Sequence, residues 1–204
     1  MSHESELDKF GEQYWSRRYT DGATGWDIGY VSTPLKYYFD QLKNTQLRIL
    51  LPGAGNSYEA EYLFRKGFKN VFVLDISSQP LSAFKQRVRD FPASQLVQAD
   101  FFEWQPAQAF DLIIEQTFFC ALHPGLRENY AEKMFDLIAT NGKLAGVFFN
   151  DSLFKDQPPF GGTFKEYPQY FEQKFKKIVY EECYNSIAPR AGREIFFIFK
   201  KTIL

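Results

Sequence analysis

Cysteine and histidine are almost absent from this sequence. Cys120 and Cys183 are its only cysteines, and His3 and His123 its only histidines, in 204 residues. Two distant cysteines build neither a disulfide framework nor a metal-ligand spacing, and no metal site is expected. The histidines are too few and too far apart for a zinc site or an obvious acid–base pair. No apolar run approaches the roughly 20 residues needed to cross a bilayer. The opening MSHESELDKF is polar and acidic, unlike a signal peptide. Charge of one sign is lacking too: net charge is −1 with both signs interspersed, which leaves no nucleic-acid footprint. The expectation is a cytoplasmic, soluble monomer with no membrane segment and no nucleic-acid partner.

What is abundant is aromatic. Rings make up 19% of the chain, with 23 Phe and 12 Tyr, which either fill a core or line a cavity. Apolar residues at 45% are enough for a real core, and the length fits a single domain over residues 1–204. Short apolar runs LRILLP and VFVLD, at 47–52 and 71–75, read as strands buried on both faces. NSYEAEYLFRKGF between them reads as a helix stopped at Gly67, which completes a β-α-β unit. SSQPLSAFKQRVRDF reads as a second helix, capped by Ser77 or Ser78 with Pro80 in its first turn. SQLVQAD, FDLII and KLAGVFF supply three more strands. HPGLRENYAEKMFDLI sets Leu126, Tyr130, Met134 and Leu137 on one helical face. Strands alternating with helices define an α/β fold with a mostly parallel, doubly wound sheet. KKIVYEECYN and EIFFIFKK, joined by SIAPRAGR, read as a C-terminal antiparallel hairpin on the sheet edge. Residues 1–40 form an aromatic N-terminal extension, and 41–204 the Rossmann-like core.

The stretch LRILLPGAGNSYEAEYL carries the first chemical signal. A dinucleotide fold wants G-x-G-x-x-G, its third glycine allowing close helix–strand packing beside the pyrophosphate. Gly53 and Gly55 are present, but Tyr58 holds the third position, where a ring would crowd that packing. A lone G-x-G is also ordinary turn chemistry. Asp75 ends the next strand, where a carboxylate accepts from both ribose hydroxyls or caps the helix that follows. Asp100, after the third strand, lies where an adenine would sit. A ribose acid behind a truncated glycine motif points to a nucleoside without pyrophosphate, and S-adenosylmethionine has that shape. Trp15, Tyr19 and Trp26 precede the sheet in a segment too rich in Gly and Arg for a simple core helix. They either pin an N-terminal arm to the core or close over a sulfonium, which aromatic faces attract by roughly 0.5–2 kcal/mol.

In order along the chain, YW, RY, TGWDIG, STPL, LLPGAG, VFVLDIS, FDLIIEQTFFCALHPGLRENYAEKM, NGKL and QPPFGGTFKEY resemble the thiopurine S-methyltransferase superfamily. The likeness is strongest to its plant and bacterial thiol and halide methyltransferase branch and runs from Phe10 onward. It implies a Rossmann-like methyltransferase fold and in-line methyl transfer from S-adenosylmethionine to a small, soft acceptor, with S-adenosylhomocysteine as product. By motif, Trp15 and Trp26 close over the cofactor, Gly53 meets its amino-acid part and Asp75 its ribose. Asp100 and Phe101 meet the adenine. Gln116 lies near the methionine moiety and Arg127 near the cofactor; Gly55 and Ile76 complete the set. Departures are Ala54 for a common cysteine, Glu115 for a common aspartate, and Lys155 and Asp156 in the loop that should border the acceptor.

A thiol offers some thiolate at neutral pH and a halide needs no deprotonation, so no dedicated base is required. Phe118, Phe119, Phe154, Phe160 and Tyr167 are candidates to wall the acceptor pocket, each equally able to serve the core. Cys120 reads as an inert buried thiol and His123 as a helix cap, so neither is counted as catalytic. Two other readings stay open: a nicotinamide-dependent oxidoreductase, which the missing third glycine disfavours, and a non-catalytic S-adenosylmethionine-binding protein.

Overall fold

The computed structural model describes residues 8–202; His3 lies outside them. Seven strands form one sheet: β1 (Arg48–Pro52), β2 (Asn70–Asp75), β3 (Leu96–Gln98), β4 (Phe110–Gln116), β5 (Ile138–Phe149), β6 (Phe175–Glu182) and β7 (Glu194–Lys201). Their spatial order is β3-β2-β1-β4-β5-β7-β6. The first five are parallel, while β7 runs antiparallel to both β5 and β6. The hairpin therefore returns inward, and β6 becomes the edge strand.

Alternation within β1 shows how the sheet is buried. Leu50 joins one apolar cluster, with Tyr130, Met134, Phe148 and Phe197, while Ile49 and Leu51 join the other, with Leu63, Val73 and Phe84. Successive side chains of a strand point to opposite faces, so a run with no polar residue must be covered twice. The covering helices are α1 (Glu12–Thr20), α2 (Thr33–Gln41), α3 (Tyr58–Arg65), α4 (Ser78–Arg87), α5 (Arg127–Leu137) and the short α6 (Pro168–Phe171). Leu35, Leu63 and Phe84, from α2, α3 and α4, join one cluster, and Tyr130 and Phe171, from α5 and α6, the other. Ser77 caps α4 by accepting from the Gln79 N–H at 3.3 Å, and Pro80 sits in its first turn.

Three stretches differ from the sequence reading. The N-terminal aromatic segment contains a helix, α1, with no buried residue; Arg17 and Arg18 lie in its last turn, and Gly22, Gly25 and Gly29 beyond it. α2, with Leu35, Tyr38 and Phe39 buried, was read only as part of the extension. β5 starts at Ile138 directly after α5, because a register shift and Asn141 at φ 66° let the NGK stretch stay in the strand. Among the described residues no helix is long and apolar enough to cross a membrane.

Most of the aromatic surplus is core. Phe148 stacks on Phe197 at 4.0 Å and is 2% exposed, within a cluster that includes Phe119, Phe171 and Phe199. Phe148→Ala is expected to cost ~3–5 kcal/mol of unfolding free energy in a denaturant titration, since the cavity left cannot close between two sheet strands.

Candidate active site

All five parallel strands end on the same side, and the strand order reverses between β1 and β4. Loops after those strands splay apart there and leave a crevice, the usual ligand position in an open α/β sheet. A cavity of about 1180 Å³ fills it, bounded by the loops after β1, β2, β3 and β4, by the N-terminal segment, and by residues 149–159. That exceeds the roughly 300–1,000 Å³ of a pocket for one small ligand and leaves room for two reactants.

The loop after β1 is shaped by three consecutive demands for left-handed backbone. Gly53, Gly55 and Ser57 have φ of 54°, 51° and 56°. A Cβ on Gly53 would collide with the Phe118 ring, and one on Gly55 would lie 2.6 Å from the Tyr19 hydroxyl. Both glycines are therefore needed for close approach as well as for the turn. Tyr58 begins α3 at the cavity rim, with the Arg87 guanidinium 4.6 Å from its ring centre. Glu59 and Glu61 occupy the first turn of α3, so the end that cradles a pyrophosphate elsewhere carries two acids here. Neither acid favours a pyrophosphate there, which weighs against the nicotinamide reading.

Asp75 is buried at the end of β2. Its Oδ2 accepts from the Gly55 N–H at 2.8 Å and its Oδ1 from the Ser77 N–H at 2.9 Å. Burial pushes its carboxyl above the usual range, against the pull of those N–H groups. One lone pair on each oxygen remains for a ligand in the cavity that Asp75 lines. Gln116, at the end of β4, has a buried Oε1 with no hydrogen-bond partner, which calls for a donor from a ligand. An acid paired to the glycine loop, a glycine wall without side chains and an orphaned amide oxygen suit a nucleoside joined to an amino acid.

Of the residues singled out in the sequence, Trp15, Trp26, Gly53, Gly55, Asp75, Ile76, Asp100, Phe101, Gln116, Phe118 and Phe154 line this one cavity. Trp15 and Trp26 meet edge-to-face at 5.6 Å, with Tyr19 against Trp26 at 5.8 Å and Arg18 over Trp26 at 5.2 Å. Phe119, Phe160 and Tyr167 do not line it. Each is 1% exposed. The chain turns at Thr117 (φ 57°) and sends Phe118 to the cavity and Phe119 the other way. Phe160 packs against Phe10 and His123, and Tyr167 against Phe119 and Phe148. Arg127 also stays behind the wall. Its guanidinium pairs with Glu166 at 2.5 Å, donates to the Gly161 carbonyl at 2.6 Å and lies 5.2 Å from the Phe119 ring centre. A buried cation needs a carboxylate, and Glu166, its ion-pair partner among the described residues, holds it away from the crevice.

The sequence reading missed residues that shape the same space. Arg190, in the β6–β7 turn, donates to the Trp26 carbonyl at 2.7 Å and pairs with buried Glu194 at 3.3 Å. Glu59 accepts from the Ser32 N–H at 2.8 Å, and Asn56 donates to Asp27. These bonds tie the N-terminal segment to α3 and to the hairpin. Nothing local marks Arg190, whose partner lies 164 residues away. Cys120 and His123 behave as expected. Burial raises the Cys120 thiol far above its ordinary range, and its S–H faces the Thr117 carbonyl at 3.3 Å. His123 caps a short turn, its Nδ1 accepting from the Gly125 N–H at 3.1 Å.

Sheet order, glycine loop and the acid at the end of β2 define a Rossmann-like S-adenosylmethionine-dependent methyltransferase. Residues 10–201 match the thiopurine S-methyltransferase (TPMT) family, and the chain belongs to it. It is 29% identical over 192 residues to probable thiol methyltransferase 2 of Arabidopsis thaliana, covering 92% of this chain and 84% of that one. It is 30% identical to thiocyanate methyltransferase 1 of Brassica oleracea, with the same coverage. Among solved structures, the 1,6-didemethyltoxoflavin-N1-methyltransferase of Burkholderia thailandensis, with bound S-adenosylhomocysteine, superposes with a TM-score of 0.81 at 15% identity, covering 100% of this chain and 92% of that one. A TehB-like methyltransferase of Corynebacterium glutamicum gives 0.67 at 20% identity, covering 94% and 98%.

Glu115 has no exposure at all. Burial pushes its carboxyl up from the ordinary value of 4.5 to about 7. The folded state thus holds this proton more tightly than the unfolded chain. The stabilisation from Glu115 is complete below pH 4.5 and is lost as pH rises through about 7. Glu115→Gln removes that titration. Urea midpoints measured from about pH 5 to pH 8 should show the wild type losing stability relative to the variant as pH increases.

Proposed function

We propose that this methyltransferase acts on a small, soft nucleophile, a thiol, a thiopurine or a halide, inside the crevice between the β1 and β4 loops. One observation carries the acceptor class: among the described residues no histidine lines the cavity, and Cys120 and Tyr19, two of the residues that do, are pushed by burial far above neutral pH. The acids of the lining, Asp75 and Asp100 among them, are read as cofactor ligands, so an acceptor that arrives with its electron pair free suits the site. Thiolates and halides are such acceptors.

Bound S-adenosylmethionine supplies a methyl group activated by a positive sulfur. The chain's own residues would do the rest by holding and enclosing. Asp75, and Ile76 beside it, would take the ribose. Asp100 and Phe101 would take the adenine edge, and the backbone of Gly53 and Gly55 with the orphaned Gln116 oxygen the amino-acid end. Trp15 and Trp26 would close the N-terminal segment over the reacting centre as a lid. Phe154 would wall the acceptor, together with Leu153 and Pro159 of the same 149–159 stretch, and Phe118, against Gly53, would stand between the acceptor and the cofactor. Orientation of two reactants in one enclosure can contribute on the order of 7–11 kcal/mol. An aromatic enclosure also strips water from an anionic acceptor. Two buried free thiols, Cys120 and Cys183, suit a reducing cytoplasm, and a cavity complete within one chain suits a monomer.

Two measurements test this reading. Asp75→Ala should weaken S-adenosylmethionine binding by ~1.5–3 kcal/mol in calorimetry, the loss of hydrogen bonds to a charged group; wild-type affinity removes the ribose assignment. Formation of S-adenosylhomocysteine should be assayed with matched concentrations of bisulfide, thiophenol, a thiopurine and iodide. Turnover is expected on at least one. Silence on all four, with the cofactor bound, would support a non-catalytic binder instead.

A further inference from the structure

An acid with no exposure at position 115 of an apolar strand needs a physical reason, and its partners supply one. Among the described residues it makes no salt bridge. Its Oε1 accepts from two consecutive backbone N–H groups, Phe118 at 2.8 Å and Phe119 at 3.0 Å, while the Tyr130 hydroxyl donates to Oε2. Both N–H groups lie just past the point where β4 ends and Thr117 takes φ 57°. Without an internal acceptor they would be left unsatisfied at the edge of the core, and the chain would turn elsewhere. Gly146 sits opposite in the β4–β5 register, where a Cβ would collide with the Glu115 Cβ and carbonyl oxygen, so the two strands approach closely at this position.

The turn so held sorts two neighbouring rings. Phe118 lies against Gly53 and edge-to-face with Phe101 at 5.1 Å, bridging the loops after β1 and β3. Phe119 goes into the core against Tyr130 at 4.9 Å. We propose that Glu115 is a positioning residue for the cofactor end of the cavity, its carboxyl oxygen gripping the 117–119 turn so that Phe118 forms the floor between Gly53 and Phe101. This rests on the reading of that end as the S-adenosylmethionine site. The grip requires an acceptor oxygen rather than a charge, because the bonded Oε1 accepts in either protonation state.

Calorimetric titration with S-adenosylhomocysteine separates this role from plain core packing. Glu115→Met keeps an unbranched chain of similar size but removes the acceptor, and should bind at least about tenfold more weakly. Glu115→Gln keeps an acceptor oxygen and should stay within about twofold of wild type. Tyr130→Phe breaks the other hydrogen bond of the same carboxyl, costs stability, and should also stay within about twofold. Wild-type affinity in Glu115→Met overturns the assignment, as does equal weakening in Glu115→Gln or in Tyr130→Phe. If Glu115→Met does not fold, Phe118→Leu carries the test, since it removes the ring that the grip delivers. A similar tenfold loss supports the assignment, and unchanged affinity overturns it. Failure of the wild type to bind S-adenosylhomocysteine would be a failure of the site reading itself, and this inference would fall with it.

Discussion

The contact between the backbone of Gly53 and the ring of Phe118 is the constraint on which the site depends. It joins the loops after β1 and β4, the two strands between which the sheet reverses its order. A side chain at 53 would drive the loops apart and open the floor of the crevice. The left-handed backbone at 53, 55 and 57 and the turn at Thr117 are the local cost of bringing them together. Such conformations persist only where their surroundings over-determine them. Here the surroundings are Asp75 bonded to the Gly55 N–H on one side and Glu115 bonded to the Phe118 N–H on the other. Two buried acids at the ends of β2 and β4 thus hold the two walls of one cavity.

That arrangement explains why buried charge is tolerated at all. Removing a carboxylate from water is costly unless its oxygens are satisfied, and each of these acids spends them on backbone N–H groups that would otherwise be orphaned. The same logic governs the periphery. Arg127 is buried with Glu166, away from the crevice, and Arg190, at the cavity wall, with Glu194, so each cation closes onto a carboxylate. Arg190 has a further consequence. By donating to the Trp26 carbonyl it fastens the N-terminal segment to the β6–β7 turn, and both residues line the cavity.

Strands and the glycine loop were legible in the sequence because their signals are local. Apolar runs of five or six residues must be buried on both faces, and a G-x-G followed by a helical pattern must be a β–α turn. Asp75 was legible because its place follows from those two. The aromatic wall was only half legible. Phe118 and Phe119 are adjacent and chemically identical, and one residue of left-handed backbone at Thr117 decides which of them meets the ligand. Phe160 and Tyr167 lie beyond a loop whose path depends on Arg127 and Glu166, a pairing set by tertiary contacts. Glu115 was the exception: an acid inside FDLII-type hydrophobicity is conspicuous, yet its partners lie three, four and fifteen residues on and appear only once the chain has turned.

The poverty in histidine noted at the start is consistent with the chemistry of the crevice. A methyltransferase acting on an oxygen or nitrogen acceptor must often dispose of a proton, and a group with its pKa near the working pH is the usual device. Glu115 has such a pKa, about 7, but it faces the 117–119 turn and does not line the cavity. Tyr19 and Cys120 do line it and are held protonated by burial. Glu115 therefore serves the architecture, while the Cys120 thiol and the Tyr19 phenol in the lining stay protonated. An enclosure built that way favours a nucleophile that already exists in water, an anion or a soft atom of low proton affinity, in keeping with the family to which the chain belongs.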